Sequence, residues 1–295
     1  MKQPDFLCIG LPKSGTTWLY HHLRNHEQVW LPPVKEIAYL QGFDTRTYST
    51  RRFITHKKYV IKKKMSALMR RLRGSTSKSN EYDALSWYLR YALLPESKKW
   101  YQNLFPDVSG KMRGDISPQY HVLEEAEIQK IKSINPEMKV VLILRDPVDR
   151  LWSQAKMKMS SRGTSIMSSA SEEDWTHLLE QGMQECPAYV DILDRWRLHF
   201  PDHVHIAYYD QLAEDPQRFF TNILEFLGLT VSSKEKDTLK KKVWQGVEFD
   251  ISSKLERYLI EKNLPMVKQF NAQMGNRFVN DWIKKYEQNL TRTKD

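Results

Sequence analysis

The stretch Phe6-Leu7-Cys8-Ile9-Gly10-Leu11-Pro12-Lys13-Ser14-Gly15-Thr16-Thr17-Trp18 decides how the chain is read. A short apolar strand runs straight into a turn bounded by two glycines. The spacing from Gly10 to Gly15 is that of the nucleotide phosphate loop, G-x-x-x-x-G-K-[ST]. Thr17 holds the Ser/Thr position, but Thr16 stands where the lysine belongs, and Lys13 lies inside the loop. Glycines let the backbone turn tightly, so that several N–H groups face one concavity. A helix over 16–25, with Trp18, Leu19 and Leu23 on its buried side, adds unpaired first-turn N–H groups and the positive end of its dipole. The plainer alternative is a strand–turn–helix corner with a chance pair of glycines. A lysine, a serine and two threonines crowded into one turn argue against it.

Further strands are expected at 111–115, 140–144 and 204–208. Val140-Val141-Leu142-Ile143-Leu144 is apolar throughout, as a strand covered on both faces should be. Helical patterns separate these strands, which implies a parallel sheet with helices on both sides. The expected fold is therefore α/β: a phosphate-loop type of central parallel sheet flanked by helices, one domain over 1–295, with a basic helical insertion or cap at 45–100. Ligands of such sheets bind at the carboxyl ends of the strands. The Ser-rich run 160–169 reads as a mobile loop, ending at a helix start in Ser171-Glu172-Glu173-Asp174.

The chain has 295 residues, 40% of them hydrophobic and 12% aromatic, enough for a large core. Its two cysteines, Cys8 and Cys186, make no disulfide framework, and Cys8, inside the first strand, is expected to be a buried thiol. No metal-ligand spacing is apparent among the nine histidines. No apolar run approaches the roughly 18 residues of a membrane span. The first strand starts too early for a signal peptide to precede it, so a reduced cytoplasmic compartment is expected. The net charge of +10 lies in one stretch: residues 45–80 hold twelve Lys or Arg and no Asp or Glu, leaving 34 basic against 36 acidic residues elsewhere. Such a segment could meet an anionic acceptor, the surface of a membrane or nucleic acid, or be a solvated cap that steers an anionic ligand.

A second anion site is expected after the strand 140–144, in Arg145-Asp146-Pro147-Val148-Asp149-Arg150-Leu151-Trp152-Ser153. Pro147 suits the first turn of a helix. Arg145 then sits at a strand's carboxyl end and Ser153 about two turns into the helix, where a guanidinium and a hydroxyl could share one phosphate. Alternatively, Arg145 pairs with Asp146 or Asp149 and only holds the corner.

With these residues on the page, a family resemblance emerges. GLPKSGTTW resembles the phosphosulfate-binding loop of sulfotransferases that use 3′-phosphoadenosine 5′-phosphosulfate (PAPS), and RDPVDRLWS resembles their 3′-phosphate motif. LPPVKEIAYL at 31–40, WYQNLF at 100–105, GDISPQY at 114–120 and AYYDQLAEDPQRFFTNILEFLGL at 207–229 are similar to the bacterial and heparan-type branch. The likeness covers most of 5–230; the segment 45–80 and the last 60 residues match poorly.

The resemblance implies sulfuryl transfer from PAPS to an acceptor hydroxyl, or less readily an amine, releasing adenosine 3′,5′-bisphosphate (PAP) without a metal. It implies that Lys13, Ser14, Gly15, Thr16, Thr17 and Trp18 hold the phosphosulfate end and Arg145 with Ser153 the 3′-phosphate. Lys13 would also stabilise the leaving phosphate. Glu36 matches the family's carboxylate base, or else is a surface residue paired with Lys35, with Asp115 and then His121, read as a surface helix residue, as further candidates. Many relatives carry a histidine where this chain has Ala38. Lys241, Lys242 and Gly246 are a weak substitute for the family's late basic glycine loop. The acceptor could be a small molecule, a glycan or a lipid, with Trp87, Tyr88, Tyr91, Trp100 and Tyr101 lining its cleft or else packing as core. No nucleic-acid partner is expected, and the enzyme would be cytoplasmic or peripheral to a membrane. Two other classes stay open: a phosphate-loop nucleotide kinase, and a non-enzymatic module that binds an anionic polymer or membrane.

Overall fold

The computed structural model describes residues 3–42, 79–108, 110–230, 239 and 248–292. The cations of 46–78 and the trio Lys241, Lys242 and Gly246 lie outside the described residues. In chain order the elements are β1 (Phe6–Gly10), α1 (Thr16–Asn25), β2 (Val29–Trp30), a 3-10 turn (Tyr39–Gly42), α2 (Ser79–Leu93), α3 (Lys98–Asn103), β3 (Met112–Ile116) and a second 3-10 turn (Pro118–Val122). Then follow α4 (Glu125–Ile134), β4 (Lys139–Leu144), α5 (Pro147–Ser160), α6 (Thr164–Ser169), α7 (Glu172–Gln184), α8 (Tyr189–His199), β5 (Val204–Tyr208), α9 (Tyr209–Glu214), α10 (Pro216–Leu227), α11 (Ser253–Met274) and α12 (Arg277–Arg292).

The five strands form one sheet in the order β2-β3-β1-β4-β5, and every pairing is parallel. From β1 the chain builds outward to β3 on one side and β4 on the other. The strand order therefore reverses at β1, the place where open α/β sheets bind ligands beyond the strands' carboxyl ends. Strand side chains alternate between two cores. Leu7, Ile9, Val140, Leu142 and Leu144 face the larger one, while Phe6, Cys8, Val141 and Ile143 face the other. Each such aliphatic or aromatic side chain contributes about 1.5–3 kcal/mol when fully buried. Helices on both faces thus explain the unbroken apolar run of β4. Gly114 of β3 is registered against Phe6, and a Cβ there would fall 2.1 Å from the Phe6 ring, so only glycine lets that ring lie flat in the core.

The Ser-rich run departs from expectation. α5 continues through Ser160, and Thr164–Ser169 forms the short helix α6. Its side-chain hydroxyls bond back to backbone carbonyls, as in Ser169 to the Ser165 carbonyl at 3.1 Å, so serine content did not prevent helix formation. The helix start at Ser171 is a capping box with Asp174. Trp87, Tyr88, Tyr91, Trp100 and Tyr101 are all buried and belong to the core, held by ring contacts such as Trp87 on Tyr91 at 5.1 Å. Cys8 is a free, fully buried thiol, pushed up to about 12 by that burial. Among the described residues no helix is long and apolar enough to cross a membrane.

Candidate active site

The phosphate loop leaves β1 and is stitched to β4 by the Leu11 amide, which donates to the Ile143 carbonyl at 2.7 Å. Gly15 has φ +86°, and a Cβ on it would lie 2.7 Å from Leu212, so both the conformation and the space require glycine. Lys13 itself adopts a left-handed φ of 69°, strain of the kind that gathers at functional sites. Ser14 is fully buried, and its hydroxyl has no hydrogen-bond partner among the described residues. A buried orphan hydroxyl beside the open amides of a helix start is a cradle suited to an anion. α1 begins at Thr16, as the glycine spacing predicts. Trp18 lies in the first turn of α1. Its indole packs on Phe219 and Phe220 at 5.8 and 5.9 Å in the second core, so only its backbone amide faces the helix start.

Arg145 follows directly on β4. It pairs with neither Asp146 nor Asp149. Its Nη1 donates to the Lys13 carbonyl at 2.9 Å, its guanidinium lies 4.3 Å over the Tyr209 ring, and its own carbonyl accepts the Tyr189 hydroxyl at 2.8 Å. The two acidic neighbours have other work. Asp146 caps α5 through the amides of Val148 and Asp149 and accepts the Tyr286 hydroxyl at 2.5 Å, while Lys285 reaches both carboxylates. The C-terminal helix α12 thereby locks the start of α5. Ser153 lies half-buried on α5, one turn before Met157, whose sulfur sits 3.7 Å from Lys13 Nζ. Residues four apart share a helix face, so Ser153 is on the side turned to the loop; the structure records no hydrogen bond between Ser153 and Arg145.

The Lys13 ammonium is pushed below the usual lysine range, first by burial and then by the charges of Arg145, Lys156 and Lys35. Four cations therefore converge on the loop. Lys156 and the stacking ring of Tyr209 escaped the sequence reading. The position of Lys156 one turn after Ser153, and of Tyr209 at the end of β5, were the available signals.

The acceptor-side residues gather across β1. Glu36 and Ala38 both have positive φ, 66° and 54°, and Ile37 between them is fully buried. The Glu36 amide donates to the Ile116 carbonyl at 3.1 Å, the Ala38 amide to Ser117 Oγ at 3.2 Å, and the Leu40 amide to the Tyr120 hydroxyl at 3.5 Å. Beneath them lies Asp115, 1% exposed. Its Oδ1 accepts Ser117 at 2.7 Å, and its Oδ2 accepts Tyr120 at 2.7 Å and Tyr101 at 2.9 Å. Burial raises the Asp115 carboxyl pKa; the three hydroxyl donors oppose that, and the charge of Glu36 adds to it. Three donors thus hold this buried carboxyl.

Two side chains among those that meet the Glu36 carboxylate are Lys35 and Gln119. Lys35 Nζ pairs with Oε1, and Gln119 Nε2 donates to Oε2 at 2.9 Å. Lys35 thus joins the two halves of the site, since it pairs with Glu36 and its charge also acts on Lys13. His121 corrects the expectation of a surface residue. It is buried, its Nδ1 lies 2.6 Å from the Pro118 carbonyl, and burial pushes its imidazole down to about 4. Among the described residues no group of three His, Cys, Asp or Glu could hold a metal ion.

Fold and site together define an α/β protein in which the glycine loop, the basic segment after β4 and the Glu36 carboxylate lie at one end of a parallel sheet. Residues 4–233 match the pattern of the Sulfotransferase family, and the chain belongs to it. Curated relatives include the heparan sulfate glucosamine 3-O-sulfotransferase 6 of Mus musculus and of Homo sapiens, each 28% identical over 137 residues, which are 44% of this chain and 39% of the relative. The match therefore spans about two fifths of these relatives' length. A sulfotransferase from Alicyclobacillus acidocaldarius superposes with a TM-score of 0.63 at 20% identity, over 96% of this chain and 99% of that one. Mouse sulfotransferase SULT7A1 complexed with PAP superposes with a TM-score of 0.51 at 15% identity, over 98% and 89%. These structural likenesses concern the fold.

Proposed function

We propose that the protein is an enzyme that transfers the sulfuryl group of PAPS to an acceptor hydroxyl in a single in-line displacement. The observation that carries this reading is the bond from Arg145 to the Lys13 carbonyl, which ties a second cationic motif to the phosphate loop. PAPS brings an activated sulfuryl group and two anionic ends, and a cradle with two linked basic motifs suits both. Ser14, Gly15, Thr16, Thr17 and the Trp18 amide receive the 5′-phosphosulfate end, and Arg145 with Ser153 the 3′-phosphate. Lys13 stabilises negative charge as it develops on the leaving phosphate, a role in which one well-placed donor supplies roughly 3–4 kcal/mol. Glu36 takes the proton of the attacking hydroxyl. Asp115 acts indirectly, by anchoring the turn that presents Glu36.

The acceptor is a hydroxyl-bearing small molecule, glycan or lipid. The basic segment 45–80, outside the described residues, either meets an anionic acceptor or membrane surface or steers the anionic donor. PAP should stabilise the folded protein, by about 2.7 kcal/mol at a hundredfold excess over Kd. A panel of alcohols, phenols and saccharides with labelled PAPS then identifies the acceptor. Lys13→Ala should keep the fold and lower turnover at least tenfold. Unchanged turnover in that variant removes the proposed role of Lys13, and tight binding of magnesium-ATP without any response to PAP supports a nucleotide kinase instead.

A further inference from the structure

We propose that Gln119 is a positioning residue that aims the Glu36 carboxylate and tunes its proton affinity, an inference that rests on Glu36 as the base. Gln119 projects from the 3-10 turn Pro118–Val122, and that turn is fixed on several sides. The Ser117 amide donates to the Cys8 carbonyl at 3.0 Å, and the Tyr120 amide to the Ser117 carbonyl at 3.0 Å. The Tyr120 hydroxyl is tied to Asp115. Against the phosphate loop the turn is so close that a Cβ on Gly10 would stand 3.2 Å from both the Pro118 carbonyl and His121 Cβ. A side chain rising from such a support holds its partner with little freedom, which a functional site requires.

The two donors on Glu36 differ in kind. Lys35 is a compact charge on a flexible four-carbon stem, which sets a distance but not an orientation. Gln119 is a planar amide on a rigid turn, and it holds the other oxygen at 2.9 Å. The Glu36 backbone is itself in the left-handed region at φ 66°, so main-chain relaxation does not favour this presentation. Gln119 fixes the carboxylate plane and, being neutral, does so without a second positive charge that would weaken the base. Asp115 is a charged group close by, and its carboxyl feels Glu36.

The test follows the Glu36 carboxyl by carbon NMR in protein labelled at glutamate, its resonance assigned by its loss in Glu36→Gln. A hydrogen bond to the charged form favours that form, and a second carboxylate at the same distance opposes it. Gln119→Ala should therefore move the Glu36 titration to higher pH, and Gln119→Glu should move it further, by about one unit or more. Turnover of labelled PAPS with the acceptor panel should fall about tenfold in Gln119→Ala, because a misaimed base loses alignment, while stabilisation by PAP stays at the parental level. Glu36 titrations that superimpose on the parent in both Gln119 variants overturn the proposal. So does a Gln119→Ala protein that loses PAP stabilisation as much as turnover, since Gln119 would then be merely structural. Parental turnover in Glu36→Gln, with the titration shifts intact, overturns the base assignment and leaves the contact standing.

Discussion

Replacing Asp115 by Asn removes one charge from the most buried polar cluster of the site, and its cost can be worked from the contacts. Asp115 accepts Tyr101 and Tyr120 on one oxygen and Ser117 on the other. An Asn whose carbonyl takes the place of Oδ2 keeps both tyrosines. Its amide then faces Ser117, whose hydroxyl loses its acceptor while still receiving the Ala38 amide. One charge-assisted bond is lost and one buried donor is orphaned, about 1–3 kcal/mol. Against a total stability of roughly 5–15 kcal/mol the variant folds, whereas Asp115→Ala strands three donors and costs more, on the order of 3–5 kcal/mol. The sign with pH follows from the raised Asp115 pKa. A carboxyl whose folded pKa exceeds its unfolded value stabilises most below the unfolded value and loses that contribution as pH rises through the folded one. The deficit of Asp115→Asn against the parent should thus be larger in acid than at neutral pH, as read by urea unfolding at each pH. Loosening Ser117 frees the Ala38 amide and with it the Glu36 turn, so turnover should fall about tenfold with PAP stabilisation retained. Parental stability and turnover in Asp115→Asn, or equal loss of PAP binding and turnover, would refute the reasoning.

Two further variants probe the loop and the turn beside it. Arg145→Ala should weaken PAP by about ten- to a hundredfold, the worth of a charge-assisted bond, and should weaken 5′-AMP much less. Calorimetric affinities in an unchanged ratio would mean that Arg145 does not read the 3′-phosphate. His121 has its imidazole depressed to about 4 by burial, against 6.5 for the free residue. Its neutral form supports the fold fully above the free value, and that support drains away between about pH 6.5 and 4, up to about 3 kcal/mol. His121→Asn, which does not titrate there, should show a flatter stability curve across that window. A parallel pair of curves would mean that other groups carry the acid response.

Much of this architecture was legible because it is local. The strand–loop–helix unit begins its helix at Thr16 and ends it at Asn25, as glycine spacing and periodicity indicate, and β5 spans Val204–Tyr208 as read. β3 and β4 differ from expectation by single residues at their ends. The two-residue strand β2 carried no signal of its own; it exists because Val29 and Trp30 pair with Met112 and Arg113. His121 looked like a surface residue because its burial comes from Gly10 pressing against it across the sheet's edge. Gln119, Lys156 and Tyr209 were hard to single out for a related reason. Each matters through a partner more than thirty residues away, at Glu36, Lys13 and Arg145. The aromatic group 87–101 fitted core and cleft equally well in sequence, and only packing decided for core.

The lysine inside the loop is best understood through the charges around it. In the nucleotide loop the lysine opens the helix; here it precedes the second glycine, at φ 69°, with its carbonyl gripped by Arg145. Its ammonium meets a methionine sulfur, a weak acceptor for a cation. Burial and three neighbouring cations all disfavour its charge. A multiply charged anion in the cradle would offset these Coulombic penalties, because its attraction for Lys13 counters the repulsion from Arg145, Lys156 and Lys35. Protonation of Lys13 and binding of an anion therefore reinforce one another. On that account the clustering is not surplus charge. On the proposed reading, a bound phosphosulfate favours the charged form of Lys13.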